Sequence, residues 1–228
     1  GEVYPKNDFG AFHATALDEH GFFRRELGDQ SLLFNAEHPD PSDPAHKLLV
    51  DNGYGMVDEA GRGYHPIAYF NQWAVWRGIH SGIDALKDAY ALTGGAAYAH
   101  KVGVLLDRIA DVYPEMNFLP LHKMGFQHSQ GGRGTGRIEG CIWETNAADF
   151  ARAYDIAFEA IQTDTALVEF VSRKADDHGL TGKDDIGAIC RHIEDHLIIE
   201  ALESCKDSRI AGNTGMTHTC LAVCAIAP

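Results

Sequence analysis

The sequence predicts an all-α fold, an incomplete α/α toroid built from antiparallel helix hairpins. From Tyr69 onward, apolar residues recur at every third or fourth position, which is the period of an amphipathic helix. Most of these stretches are separated by links that contain glycine or proline, of which the longest runs from Glu115 to about Arg137. The period-two alternation that is typical of strands is absent from them. Helix pairs of this kind bury their apolar faces against the next pair, as in an α-helical array.

Taken in order, the elements divide the chain into two parts. Residues 1–68 are predicted to be an irregular N-terminal arm with one short helix near 14–26, because proline and glycine are frequent there. Residues 69–228 are predicted to be the helical-hairpin portion. Its helices are expected at about residues 69–92, 96–112, 142–161, 166–177, 186–202 and 216–227. The apolar face of the second helix is expected to comprise Tyr98, Val102, Leu105, Leu106, Ile109 and Val112.

The last predicted helix, Met216 to Ala227, is apolar on several sides. Such a helix requires neighbours on more than one side. We therefore expect the chain to be the front part of a longer protein, truncated at its C-terminal end. The alternative is that the last helix packs against the first.

Composition excludes several classes of function. The formal net charge of −14 disfavours nucleic acids and anionic membranes as general partners. No uncharged apolar stretch reaches the roughly 18 residues of a membrane span. Five cysteines without a CxxC pair disfavour a disulfide scaffold or a zinc ribbon, and most are expected to be small buried residues. The chain opens on a polar stretch, so no signal peptide is present in it.

A local reversal of charge marks the most unusual stretch. Between residues 117 and 138 there is no acidic residue, and the basic and imidazole side chains are His122, Lys123, His128, Arg133 and Arg137. This pattern favours an anionic ligand. The alternative is a solvated surface loop whose basic residues bind nothing. No strand precedes its glycines, so a nucleotide-binding loop is disfavoured.

Three further groups carry candidate chemistry. Trp143 and Glu144 open a helix, where the indole is either a platform for a sugar ring or part of the core. His192 and His196 share one helix face, which allows metal ligation or simply a polar exposed surface, and no third ligand is identifiable. Asn213 precedes the last helix, and it is either an N-cap or a donor to a substrate anion together with the helix N-terminus.

Four segments taken together resemble a known family. They are similar, in chain order, to the α-helical region of heparinase II/III-like polysaccharide lyases. The segments are HKLLVDNGYGM, the long stretch from YFNQWAVWRGIH to LLDRIADVYPEMNF, GRIEGCIWETNAADFARAYD and GNTGMTHTCLAVCA. The resemblance runs from about Phe34 to the end of the chain. It implies an incomplete α/α toroid followed by antiparallel β-sheet domains, which would lie beyond this chain.

The resemblance also implies an activity, which is β-elimination on a polysaccharide that contains uronic acid, such as a glycosaminoglycan. In this family an asparagine neutralises the uronate carboxylate, and a tyrosine or histidine moves the protons. Asn213 and Gly215 match the family's turn, but Thr214 stands where many members have histidine, so His218 is the candidate for the proton-transfer role. The family's catalytic tyrosine is expected after Pro228.

These expectations define a candidate site and its partners. The catalytic candidates are Asn213 and His218. The substrate-binding candidates are Tyr69, Gln72, Trp73, His128, Arg133, Arg137, Trp143 and Glu144. No metal ligand and no cofactor are expected in this portion, although a missing β domain leaves room for a structural metal. The expected partner is an anionic polysaccharide, the expected location is the periplasm or the exterior, and the sequence leaves the oligomeric state open.

Two other functions stay open at this point. An α/α-toroid glycoside hydrolase needs two carboxylates, separated by roughly 6.5–9.5 Å for inversion. Glu139, Glu144 and Asp155 are available for that role. The other alternative is a helical module that binds carbohydrate without catalysis.

Overall fold

The structure is a computed structural model, which describes residues 4–116, 144–207 and 214–228, with side chains except at positions 144–146 and 214. The described residues form two compact units. The first ends at Val75 and the second begins at Trp76. The prediction of a mostly helical chain is confirmed for the described residues.

The first unit combines one helix, short turns and a small sheet. Helix α1 is Phe9–Thr15, and it begins where the Asp8 carboxylate accepts a hydrogen bond from the Ala11 N–H at 2.9 Å. Strands β1 (Met56–Val57) and β2 (Gly63–Tyr64) pair antiparallel. Single 3₁₀ turns occur at Arg25–Leu27, Gln30–Leu32 and Pro44–Lys47. The buried apolar side chains of this unit are Phe12, Ala16, Met56, Tyr64 and Ile67.

The predicted helix at 14–26 was wrong, because the helix lies earlier and a tight turn follows it. The Asp18 carboxylate accepts hydrogen bonds from the N–H groups of His20 and Phe22. Gly21 has φ of 79°, a left-handed conformation that a helix interior excludes. Aspartate and glycine in this register stabilise a turn, and that local preference outweighed the approximate helical spacing.

Within this unit, a buried carboxylate binds the first turn of the next helix. Asp51 is fully buried, and it accepts hydrogen bonds from the N–H groups of Gly53, Gly55 and Ile67 at 2.8 to 3.1 Å. The Ile67 N–H belongs to the first turn of α2, Pro66–Thr93, whose first-turn N–H groups lack helical partners. Asp51 therefore fixes where the long helix α2 begins.

The second unit is an assembly of helices. It contains α2 from Trp76 onward, α3 (Ala96–Val112), α4 (Glu144–Gln162), α5 (Thr165–His178), α6 (Ile186–Ile193), a π-helical segment (Glu194–Ile199), α7 (Glu200–Lys206) and α8 (Thr214–Ile226). These elements match the predicted helices, with shifts of a few residues at their ends. Aspartates cap α5 and α6 through Asp164 and Asp185, and Gly179 ends α5 with φ of 64°.

The core of the second unit is built from aromatic and branched side chains. Those exposed by less than 2 % include Ile83, Leu106, Tyr113, Phe150, Tyr154, Ile161, Leu167 and Ile189. The predicted face of α3 is correct for Val102, Leu106 and Ile109, but Tyr98 is 38 % exposed and was assigned wrongly. Alanine and glycine at positions 99, 103 and 110 are buried instead, because small residues let neighbouring helices approach closely.

Helices α3 and α4 pack against each other and run antiparallel. His100, early in α3, hydrogen-bonds through Nδ1 to Asp164, just after α4, at 2.7 Å. A Cβ on Gly103 would lie 3.5 Å from Ile161, near the end of α4. The beginning of α3 thus lies beside the end of α4. The end of α3 and the beginning of α4 therefore lie toward the same end of the unit.

The segment around α6 packs against α3. Lys183, before α6, hydrogen-bonds both Asp107 and Asp111, and His192, late in α6, bonds the same oxygen of Asp111. Helix α8 packs against both α7 and α4.

Among the described residues, no helix combines the length and the apolar composition that a membrane span requires.

Candidate functional site

Most of the predicted site lies outside the described residues. This applies to Asn213, His128, Arg133, Arg137 and Trp143. Glu144 is the first residue of α4, and its side chain is likewise outside the described part. The structure therefore reports on Tyr69, Gln72, Trp73 and His218, and on the helix ends to which the other segments connect.

Tyr69, Gln72 and Trp73 lie on one face of α2, within the first unit. Their spacing of three and four residues places them on adjacent turns of the helix. Gln72 is exposed, and Tyr69 and Trp73 are partly exposed. This face of α2 reaches the surface, and the role of the three side chains in substrate binding stays a prediction.

Phe70, which is not among the predicted substrate-binding residues, extends this surface. Its ring lies 5.9 Å from the Trp73 ring, and it is 48 % exposed. The His13 ring packs edge-on against Phe70 at 5.1 Å, while His13 Nε2 hydrogen-bonds Asn71 Oδ1 at 2.7 Å. The i, i+3 spacing to Trp73 was the available signal. We call Tyr69, Phe70, Gln72 and Trp73 the aromatic face of α2.

His218 lies in the second unit, in the second turn of α8, and it is exposed. An exposed imidazole near the N-terminal end of a helix is accessible to a ligand that approaches that end. The helix N-terminus carries partial positive charge and favours anions. This position is compatible with the predicted role of His218.

Two segments that carry predicted site residues each lead into a helix of the second unit. Segment 117–143 leads into the beginning of α4, and segment 208–213 leads from the end of α7 into α8. Neither segment is itself described, so the placement of the basic stretch beside the Asn213 turn stays a prediction.

The pair His192 and His196 is not the exposed polar face that the sequence favoured. The two rings lie 4.5 Å apart, but His192 is largely buried and its Nε2 hydrogen-bonds Asp111 at 2.9 Å. Burial acts to raise the pKa of Asp111, but hydrogen bonds from His192 and Lys183 outweigh it and hold that pKa below its usual range. His192 is therefore held by a structural carboxylate, and His196 is exposed.

The π-helical segment begins at a second buried polar contact. The hydroxyl of Tyr154, whose side chain is fully buried, donates to Glu194 Oε1 at 2.7 Å. Burial and this carboxylate raise the pKa of Tyr154 above its usual value, so the phenol stays protonated. π-Helical turns often occur at functional sites. Here the tyrosine is enclosed within the helix assembly, which disfavours a role in proton transfer to a polymer.

The described residues do not test the carboxylate pair of a hydrolase. Asp155 is exposed on α4. Glu139 and the side chain of Glu144 lie outside the described residues, so a pair with Asp155 stays untested. Within residues 4–116, 144–207 and 214–228, no cluster of three or more His, Cys, Asp or Glu side chains is arranged to hold a metal ion.

Comparisons with models of protein families, with curated proteins and with solved structures found no match.

Proposed function

We propose that the chain is the helical portion of a lyase that cleaves a uronate-containing anionic polysaccharide by β-elimination. The observation that carries the proposal is the basic stretch 117–138, which has no acidic residue although the chain has a net charge of −14. Supporting it are the helix hairpins and the resemblance to heparinase II/III-like lyases. Within this proposal the hairpins are part of an incomplete α/α toroid, and the protein works in the periplasm or outside the cell.

Charge distribution supports an anionic substrate. The chain as a whole has a net charge of −14, so a polyanion is repelled by most of its surface. The stretch from 117 to 138 has no acidic residue and includes Lys123, Arg133 and Arg137. A local positive stretch in an acidic protein restricts where a polyanion binds.

The chemistry of elimination explains the proposed roles. Removal of the proton at C5 of a uronate adds negative charge beside an existing carboxylate, so neutralising that carboxylate lowers the barrier. The uncharged carboxamide of Asn213 and the N-terminus of α8 supply hydrogen-bond donors for this purpose. His218, exposed near the same N-terminus, is the proposed proton-transfer group within this chain.

The aromatic face of α2 is a separate contact for carbohydrate in the first unit. Exposed aromatic rings cover the apolar face of a sugar ring, and a neighbouring amide hydrogen-bonds its hydroxyls. Phe70 is 48 % exposed beside Trp73, and Gln72 lies exposed on the same helix face. We propose that this face binds a neutral part of the polymer.

The test is incubation of the protein with a panel of uronate polymers, namely alginate, polygalacturonate, hyaluronan, chondroitin sulfate and heparan sulfate. Elimination leaves an unsaturated uronate at the new end, which absorbs ultraviolet light. We expect this absorbance to rise with one class of polymer. Asn213→Ala should reduce the rate by about 10²- to 10³-fold, as the loss of a donor to a developing anion does.

Matched variants separate the roles. Asn213→Asp keeps the shape but adds a negative charge, so it should be at least as impaired as Asn213→Ala. His218→Ala should reduce the rate, whereas His20→Ala, an exposed histidine of the first unit, should not. Trp73→Ala should weaken polymer binding, and Tyr54→Ala, at a residue that is 74 % exposed in the same unit, should not.

Two outcomes would replace the proposal. New reducing ends without a double bond would indicate a hydrolase, and loss of that activity in Glu144→Gln would identify its carboxylate. Saturable binding of a polymer without any turnover would indicate a carbohydrate-binding module.

A further inference from the structure

A cavity of about 500 Å³ lies within the first unit. It is lined by residues near the 3₁₀ turn at Pro44–Lys47, by β1 and by the turn that follows β1. Its volume falls within the range of small-molecule sites. Its lining includes neither the aromatic face of α2 nor any residue of the proposed lyase site. The apolar part of its wall is formed by Ala45, Leu48, Leu49, Val57 and Ala60.

Local contacts hold this wall in one conformation. Leu49 has φ of 60°, a left-handed conformation that is unfavourable for a residue with a side chain. A residue persists in such a conformation only when the surrounding structure fixes it. The Leu49 carbonyl accepts a hydrogen bond from the Lys6 N–H at 2.7 Å. On the same wall, His38 Nδ1 hydrogen-bonds Asp43, the cap of the 3₁₀ turn, at 2.8 Å.

A buried side-chain amide lines the cavity and has an unused donor. Asn35 is only 2 % exposed. Its Oδ1 accepts a hydrogen bond from the Glu37 N–H at 3.0 Å, which determines which end of the amide is the oxygen. The other end, Nδ2, donates to no described residue and is not fully shielded from solvent. Because buried polar groups are nearly always hydrogen-bonded, Nδ2 favours an acceptor supplied by a ligand.

The charged side chains at the cavity indicate what kind of ligand complements it. Arg62 Nε bonds Asp58 Oδ2 at 2.6 Å, and Glu37 bonds Lys6 at 2.7 Å, so these charges are already paired. Glu59 is exposed and has no ion-pair partner among the described residues. The unpaired charge is therefore negative, which disfavours an anionic ligand. The carboxylate accepts hydrogen bonds whereas the buried amide donates one, and a hydroxyl group satisfies both kinds of partner.

We propose that this cavity binds a neutral sugar through its hydroxyl groups. One hydroxyl accepts from Asn35 Nδ2, and another donates to the Glu59 carboxylate. The apolar face of the sugar ring packs against Leu48 and Val57, which are 56 % and 66 % exposed. Sugar binding here requires no turnover, so this site is independent of the lyase activity.

The experiment is a titration of the whole chain with three neutral disaccharides, namely cellobiose, maltose and lactose. Binding is measured by calorimetry and by the NMR signals of the Asn35 side-chain amide. We expect saturable binding of at least one disaccharide, accompanied by a shift of these signals. Digalacturonate, which carries two carboxylates, should shift them with an affinity lower by about tenfold or more, because like charges repel.

Three outcomes of this titration would overturn the proposal. The first is the absence of saturable binding by all three disaccharides. The second is a set of shifts confined to the aromatic face of α2, which would place the sugar there. The third is an equal affinity for digalacturonate at the Asn35 amide.

An isosteric variant tests the role of the buried amide. Asn35→Asp keeps the acceptor for the Glu37 N–H and replaces the donor by an acceptor, so the affinity should fall by about tenfold or more. The matched control is Asn52→Asp, because Asn52 does not line the cavity and its Oδ1 likewise accepts from the N–H two residues further on, that of Tyr54. This control adds the same charge and should leave the affinity unchanged.

A second variant tests the apolar wall and does not depend on the stability of Asn35→Asp. Leu48→Ala removes an exposed part of the wall, so the affinity should fall by about fivefold. Its control is Leu27→Ala, since Leu27 is 54 % exposed in the same unit and does not line the cavity. Wild-type affinity in folded Asn35→Asp or in Leu48→Ala would overturn the proposal.

Discussion

Replacing Lys183 by methionine tests the buried ionic group that joins α3 to the start of α6. The Lys183 side chain is 6 % exposed and contacts two carboxylates that are 5 % and 11 % exposed. Removing one partner of a buried ion pair costs about 3–5 kcal/mol, because the remaining charge is left uncompensated. Asp111 keeps its contacts with His192 and Arg108, so we expect a loss at the lower end, about 3 kcal/mol.

The assay is urea unfolding, combined with native-state hydrogen exchange of amides in α3 and α6. A loss of this size should lower the midpoint of thermal unfolding of a chain of this length by roughly 6–12 °C. The control is Lys174→Met, since Lys174 is half exposed and pairs with Asp177 only at the surface. Exposed pairs of this kind contribute about 0–1 kcal/mol, so the control should be nearly neutral.

The pH dependence gives an independent check on the reasoning. The folded-state pKa of Asp111 lies below its unfolded value, so its contribution to stability is complete above the unfolded pKa of about 3.9. That contribution is lost as the pH falls through the folded pKa. The difference in stability between wild type and Lys183→Met should therefore shrink in acid. A loss below about 1 kcal/mol at neutral pH, or a difference that grows in acid, would refute the argument.

Three other predictions concern packing and buried polar groups. Gly103→Val should destabilise the second unit by about 1–3 kcal/mol in urea unfolding, because a Cβ there would lie 2.7 Å from Leu167 Cδ2 in a filled core. Asp51→Ala should cost the first unit about 2–4 kcal/mol, as seen by hydrogen exchange at the start of α2, because three N–H groups, two of them buried, lose their acceptor. The four cysteines other than Cys141 are buried. In the Cys141→Ser protein, their thiols should therefore react with a disulfide reagent slowly when the protein is folded and rapidly when it is unfolded in urea.

The two substitutions that test stability each have a matched control. Gly78→Val on α2 meets open space and should change stability by no more than about 0.5 kcal/mol. Asp40→Ala removes an exposed carboxylate, so hydrogen exchange at the start of α2 should be unchanged. A Gly103→Val protein as stable as wild type would contradict close packing of α3 on α5. Rapid labelling of the folded Cys141→Ser protein would contradict the burial of its thiols.

The sequence determined the helices of the second unit because their signals are local. Apolar residues at every third or fourth position, with aspartate before a helix and glycine after it, specify a helix without reference to the rest of the chain. Their failure near residues 14–26 is also local in origin, since the turn around Asp18 and Gly21 competes directly with a helix.

Only the tertiary structure decided which polar side chains are buried together. Asp107 and Asp111 lie more than 70 residues from Lys183 and His192, and no spacing in the sequence connects them. The sequence therefore interpreted His192 as surface or metal-binding, whereas packing of α6 on α3 gives it a carboxylate partner. Helix formation depends on neighbouring residues, but burial and pairing of charges depend on which helices meet, and that follows from packing of the whole unit.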